Sequence, residues 1–104
     1  MAGELERLGW SVVATNYLGS GAELDLIAVR EGVVRFVEVK ARQPGDDSGW
    51  EAVGARKRRR LVRAAETWLA EQPRGFLEVA FLLALVRCGP GSWSVEWMDD
   101  PFDA

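Results

Sequence analysis

The chain has no histidine and only one cysteine, Cys88, in 104 residues. The first absence removes histidine-based zinc sites, Ser-His triads and histidine general bases. The second excludes an internal disulfide and suits a reducing cytoplasm. Lysine is scarce as well: of 13 basic residues, only Lys40 and Lys57 are lysines. A net charge of −3 rules out a general polycation, so any contact with nucleic acid must come from a local patch. Long apolar runs are also missing. The longest stretch, Phe76 to Val86, contains Glu78 and is too short to span a bilayer. The opening Met-Ala-Gly-Glu-Leu-Glu-Arg lacks the basic-then-apolar layout of a signal peptide. These absences predict a cytoplasmic protein with no membrane contact.

What is present is a hairpin with charge in an unusual place. Two strand-like runs, Leu24 to Arg30 and Val33 to Lys40, flank a turn at Glu31-Gly32. A tight antiparallel turn sets Arg30 against Val33. Asp25 then faces Glu38, and Glu23 faces Lys40. Facing side chains share one side of the sheet, with Cβ atoms roughly 4.5–5.5 Å apart. The expectation is a square of three carboxylates and one ammonium. Like charges facing each other destabilise a sheet, and a hard cation resolves the conflict. Magnesium takes oxygen ligands, commonly one or two carboxylates with water and phosphate. The competing reading is a solvated sheet face on which Lys40 pairs with Glu23. The apolar company of the square, Ile27 and Val29 on one strand and Val34 and Phe36 on the other, weighs against it.

The second feature is a helix read over about Trp50 to Gln72, stopping before Pro73. Trp50, Val53, Gly54, Lys57, Leu61, Ala64, Ala65 and Trp68 fall on one stripe that should pack on the sheet. Lys57 is out of place there. It either snorkels out of the core or points toward the carboxylates or a substrate phosphate. Residues 56–63 carry six positive charges and no acid. Arg56, Arg59, Arg60 and Arg63 cluster along one flank. Arginine's rigid fork suits phosphate, although charge runs are also common on merely solvated faces. With Lys57 and Arg42 they form the expected nucleic-acid-binding set.

Along the chain the order is a helical stub at 2–8 ending before Gly9, a strand Trp10 to Tyr17, the hairpin, and a loop Gln43 to Gly49. The long helix, an apolar strand Phe76 to Arg87, a turn Cys88 to Gly91 and an edge strand Trp93 to Met98 follow. Asp99 to Ala104 read as an acidic tail. The whole of 1–104 is read as one α/β domain with a central mixed sheet flanked by helices. Strand 33–41, the long helix and strand 76–87 fit a right-handed crossover with a parallel pair. Trp10, Trp50 and Trp68 fit core positions, whereas Trp93 and Trp97 alternate onto one face of the edge strand, where they suit a homodimer contact.

Asp25 followed by Glu38-Val39-Lys40 resembles the PD-(D/E)xK nuclease superfamily. The longer strings Ala22-Glu-Leu-Asp-Leu-Ile-Ala and Phe36-Val-Glu-Val-Lys-Ala-Arg42 resemble the YraN family of small bacterial endonuclease-like proteins. Asn16, Lys57 and the Ala64-Ala65…Trp68-Leu69 pattern also fit. The resemblance implies a restriction-endonuclease-like αβββαβ core. It implies that Asp25 and Glu38 ligate Mg²⁺ or Mn²⁺. Lys40 would activate the attacking water and stabilise charge on the phosphate, and Glu23 would be an accessory acid. DNA, including branched or structured forms, is the implied substrate. Two departures stand out. The first helix is a stub, and Phe76-Leu77-Glu78 stands where the family often has Arg-Phe-Asp. The alternative is therefore a catalytically weak or silent protein of the same fold that binds nucleic acid through the Arg56–Arg63 flank.

Overall fold

In the computed structural model, which describes residues 1–43 and 45–99, the chain opens with a six-residue helix, α1 (Ala2–Arg7). Gly9, at φ 95°, turns the chain out of it, a conformation that costs glycine no Cβ clash. Strands β1 (Ser11–Gly19), β2 (Ala22–Arg30) and β3 (Val33–Arg42) follow. A 3-10 turn at Trp50–Ala52 leads to the long helix α2 (Ala55–Ala70), then to β4 (Glu78–Gly89) and β5 (Ser92–Asp99). The sheet runs β1-β2-β3-β4-β5. Only β3 and β4 are parallel, joined through α2, and the other pairs are antiparallel. The mixed sheet and the αβββαβ order are as expected, with β5 added at the edge.

The β2–β3 turn closes at Glu31 (φ 49°) and Gly32 (φ 81°). Two positive φ angles in a two-residue loop match the right-handed twist of the flanking strands. They fix the register from Arg30↔Val33 to Leu26↔Val37, which is the one the sequence predicts. Alternation then sends Val34 and Phe36 toward α2, where Leu61, Ala64, Ala65 and Trp68 meet them. Phe36 is fully buried and meets Trp68 edge-on, ring centres 5.8 Å apart. On the other side of the sheet, Leu5 of α1 packs with Leu26, Ala28, Val37 and Ala84. Trp50 makes a third cluster with Leu83 and Leu85, and its indole N–H donates to the Met98 carbonyl at 3.1 Å.

Several boundaries differ from the sequence reading. The long helix starts at Ala55, not near Trp50, because Gly54 at φ 81° breaks the path between the 3-10 turn and α2. Trp50 is buried from that separate turn, while Gly54 and Lys57 of the expected stripe are exposed. Trp68 is buried as expected; Trp10 is half-buried beneath the Arg30 guanidinium, 4.9 Å from the ring centre. Trp93 is exposed and Trp97 half-buried on the edge strand β5. Of the expected acidic tail, Asp99 closes β5; residues 100–104 lie outside the described residues, as does Pro44 of the 43–49 loop. No helix among the described residues is long and apolar enough to cross a membrane.

Candidate functional site

The two ends of the β2–β3 hairpin are built differently. Pairing stops at Leu26↔Val37. Beyond it, Asp25 Oδ2 accepts the Val39 backbone N–H at 2.8 Å. A side chain thus takes the place of a β2 carbonyl, and the two strands part. The irregularity extends across β2. Asn16, opposite Asp25 in the β1 register, has φ 51°. Leu24 and Ile27 both reach the α2-side core, which strict alternation forbids for residues three apart. Apolar strands therefore end in a polar cleft instead of a continued ladder.

Glu38 lies at this end and is buried, 5% exposed, the one charged residue of the buried set among the described residues. Lys57 of α2 reaches it, Nζ to Oε2 at 2.6 Å. Burial pushes the Glu38 carboxyl up to about 7. The Lys57 ammonium opposes that rise, and the Asp25 carboxylate, within hydrogen-bonding reach, adds to it. Desolvation together with a neighbouring carboxylate outweighs the ion pair. Glu23, Asp25, Glu38, Lys57 and Arg60 line a single cavity of about 390 Å³.

Of the expected square, three members share this cavity and one does not. Lys40 is drawn to the 43–49 loop, where its Nζ donates to Ser48 Oγ at 2.9 Å and lies 3.6 Å from Asp46 Oδ2. The strands separate before Glu23 and Lys40 can face each other, so the expected Glu23–Lys40 pairing is not formed. Lys57 supplies the cation at the corner instead, which resolves its two sequence readings in favour of the carboxylates. Arg42 is likewise committed within the protein. Its Nε and Nη2 donate to the Ser48 carbonyl at 3.0 and 2.7 Å, and its Nη1 donates to Glu96 at 2.8 Å. Arg56, Arg59 and Arg63 are exposed on the outer side of α2.

The sequence reading missed the partners of Lys40. The Ser48 hydroxyl and backbone N–H, with Lys40 adding to them, hold the Asp46 carboxyl down to about 2. The signal was available: an acid-rich Asp46-Asp47-Ser48 run follows closely on Lys40 and Arg42. Arg58 was also left out of the expected set. It is half-buried, its guanidinium 5.2 Å over the Trp50 ring.

The donor chemistry fits a hard divalent cation. Asp25 and Glu38 offer carboxylate oxygens to a cavity whose lining residues carry no sulfur or imidazole, and Mg²⁺ or Mn²⁺ is commonly held by two carboxylates with water and phosphate completing its shell. Among the described residues no group of three such side chains converges, so Glu23 lines the cavity without completing a third protein ligand.

Residues 1–87 match the uncharacterised protein family UPF0102. A UPF0102 protein of Synechococcus is 42% identical over 96 residues, covering 89% of this chain and 73% of the relative. One from Gloeobacter violaceus is 45% identical over 94 residues, covering 88% and 75%. One from Syntrophotalea carbinolica is 38% identical over 104 residues, covering 98% and 84%.

Proposed function

The chain belongs to the uncharacterised protein family UPF0102, and we propose that it is a metal-dependent nuclease hydrolysing phosphodiester bonds of DNA. One observation carries this reading: Asp25 and Glu38 meet where the strands part, in a cavity that also holds Lys57 and Arg60. Asp25 and Glu38 would hold Mg²⁺ or Mn²⁺. When bound, the ion would polarise the scissile phosphate and lower the pKa of a coordinated water. The Val39 N–H fixes the Asp25 carboxylate in place for this task. Lys57 exchanges its contact with Glu38 for the phosphate, and Arg60 binds the same group from the next turn of α2. Lys40, two positions beyond Glu38 on the same face of β3, would leave Ser48 and Asp46 to orient the attacking water. Arg56, Arg59 and Arg63 receive the flanking phosphates.

Incubation of labelled oligonucleotides with Mg²⁺, Mn²⁺ or EDTA tests the reading. Cleavage is expected only with metal, and it should be lost in Asp25→Asn and Lys40→Ala proteins that remain folded. A wild-type protein that cuts neither single-stranded, duplex nor branched DNA with either ion would overturn it. A second reading has its own support, because Lys57 already neutralises Glu38 and Lys40 is tied to a loop. A silent nucleic-acid binder of this kind would bind DNA equally well in EDTA. Neutralising Arg59 and Arg60 would then flatten the salt dependence of binding by about two units of slope.

A further inference from the structure

Helix α2 separates two cavities of opposite character. One flank carries Lys57 and Arg60 into the carboxylate cavity. The other flank forms a larger open groove of about 610 Å³ with Trp50, Gly54, Arg58, Arg59, Val62 and Arg63. This second groove exists because α2 covers β1, β2 and β3, leaving Trp50 to cover Leu83 and Leu85 of β4. Its floor is apolar and its rim cationic. Val62 is 44% exposed there, on a helix that buries Leu61 one residue earlier. Among the described residues Glu51 is the one acid lining the groove; it is exposed, and its carboxylate accepts the Gly49 backbone N–H at 2.8 Å. Arg56, Arg59 and Arg63 stand exposed on the crest between the two cavities.

We infer that this groove receives an unpaired base of the same nucleic acid whose phosphate lies at Asp25 and Glu38. The inference rests on the nuclease reading for that phosphate, and it names the substrate class: DNA with an unpaired stretch beside the scissile bond. A polyanion entering the carboxylate cavity must lie along a helix crest that carries Arg56, Arg59 and Arg63, with the one acid of α2, Glu66, a turn further on. A helix with its side chains is roughly 10–12 Å across, so the strand descends on the far flank within a few nucleotides. What it meets there is the exposed Val62 side chain beside the Arg58 guanidinium, which itself lies over the buried Trp50 ring. A base inside a duplex has both faces stacked and its edge paired, and it cannot fill such a groove. An unpaired base can, and arginine and aromatic platforms stack bases with little sequence preference.

The test is binding in EDTA, where no cleavage occurs, with three fluorescent probes of equal length: oligothymidylate, a blunt duplex, and an oligonucleotide of abasic residues. Oligothymidylate is expected to bind at least about tenfold more tightly than the abasic strand, the loss that stacking of one or two bases predicts. Val62→Gln, which puts a polar side chain on the groove floor at an exposed helix position, should weaken oligothymidylate about fivefold and the duplex less than twofold. The duplex measurement doubles as a check that the variant is folded. Equal affinity for thymidylate and abasic strands overturns the inference, as does a Val62→Gln protein that binds thymidylate as the wild type does. Failure of the nuclease reading alone looks different: no cleavage with any metal, yet the same preference for bases.

Discussion

The turn end and the open end of the β2–β3 hairpin are made from the same two strands, and they do opposite things. At the turn, Glu31 and Gly32 take the backbone angles the twist demands, and the register runs unbroken to Leu26↔Val37. The residues there that face α2 are apolar and packed, with Ile27, Val34 and Phe36 fully buried. At the open end a carboxylate replaces a backbone partner, an acid is buried, and a lysine from another element arrives to meet it. The first end supplies rigidity, and the second uses that rigidity to hold an arrangement that would not assemble alone. Like charges brought together cost stability, and the apolar ladder a few residues away offsets that cost.

Substitutions at Asp25 should break this contrast most severely. Asp25→Asn keeps an oxygen to accept the Val39 N–H and loses the charge, whereas Asp25→Ala loses both. Cleavage should fall at least about a thousandfold in each, as expected when a metal that activates water is lost. Only the alanine protein should also lose stability in urea, by about 1–3 kcal/mol for the orphaned backbone donor. Equal stability of the two variants would mean that the hydrogen bond does not shape the open end.

Glu38 should govern the pH dependence. Its folded carboxyl sits near 7, above the ordinary carboxylate value of 4.5. The folded protein therefore holds a proton that the unfolded chain releases. The associated stability is fully present below about pH 4.5 and is lost as pH rises through 7. In EDTA the urea midpoint should fall between pH 5 and pH 8, and Glu38→Gln should flatten that fall. The upper limit of the effect is about 3 kcal/mol. A wild-type profile already flat over this range would contradict the burial of an acid at this position.

Lys57 and Ser48 sharpen the picture at smaller scale. Lys57→Met removes the cation that competes with metal at Glu38, so Mn²⁺ affinity should rise severalfold while cleavage falls. A joint fall in both would make Lys57 a structural support of the cavity instead. Ser48→Ala releases one tether of Lys40 and should change stability by no more than about 1 kcal/mol. It should raise the cleavage rate if Lys40 must leave the loop to act, and an unchanged rate would remove that requirement.

The contrast also explains what was legible in the sequence. Glu31-Gly32 between alternating apolar runs announces a turn and, with it, a register, because turn chemistry and side-chain period are local. The stripe of Leu61, Ala64, Ala65 and Trp68 was readable for the same reason. What local pattern cannot encode is where a ladder stops. The extrapolated pairing of Glu23 with Lys40 assumed that the strands continue together, but Asp25 intercepts the Val39 N–H and they part. The destination of Lys40 was hidden as well, since it depends on a loop folding back to bring Ser48 and Asp46 beside it. Lys57 was visible as an oddity on an apolar stripe. It stands one turn before Leu61 on that stripe, at the end of the sheet where β2 and β3 part, and the fold sets it against Glu38.

Titration of Mn²⁺ by calorimetry, at a pH above 7 where Glu38 is ionised, probes the shared carboxylates most directly. The expected result is saturable binding of one ion per chain in the wild type, abolished in both Asp25→Asn and Glu38→Gln. Binding that survives in either variant, or no binding in a folded wild-type protein, would contradict the pairing of these two acids around a metal.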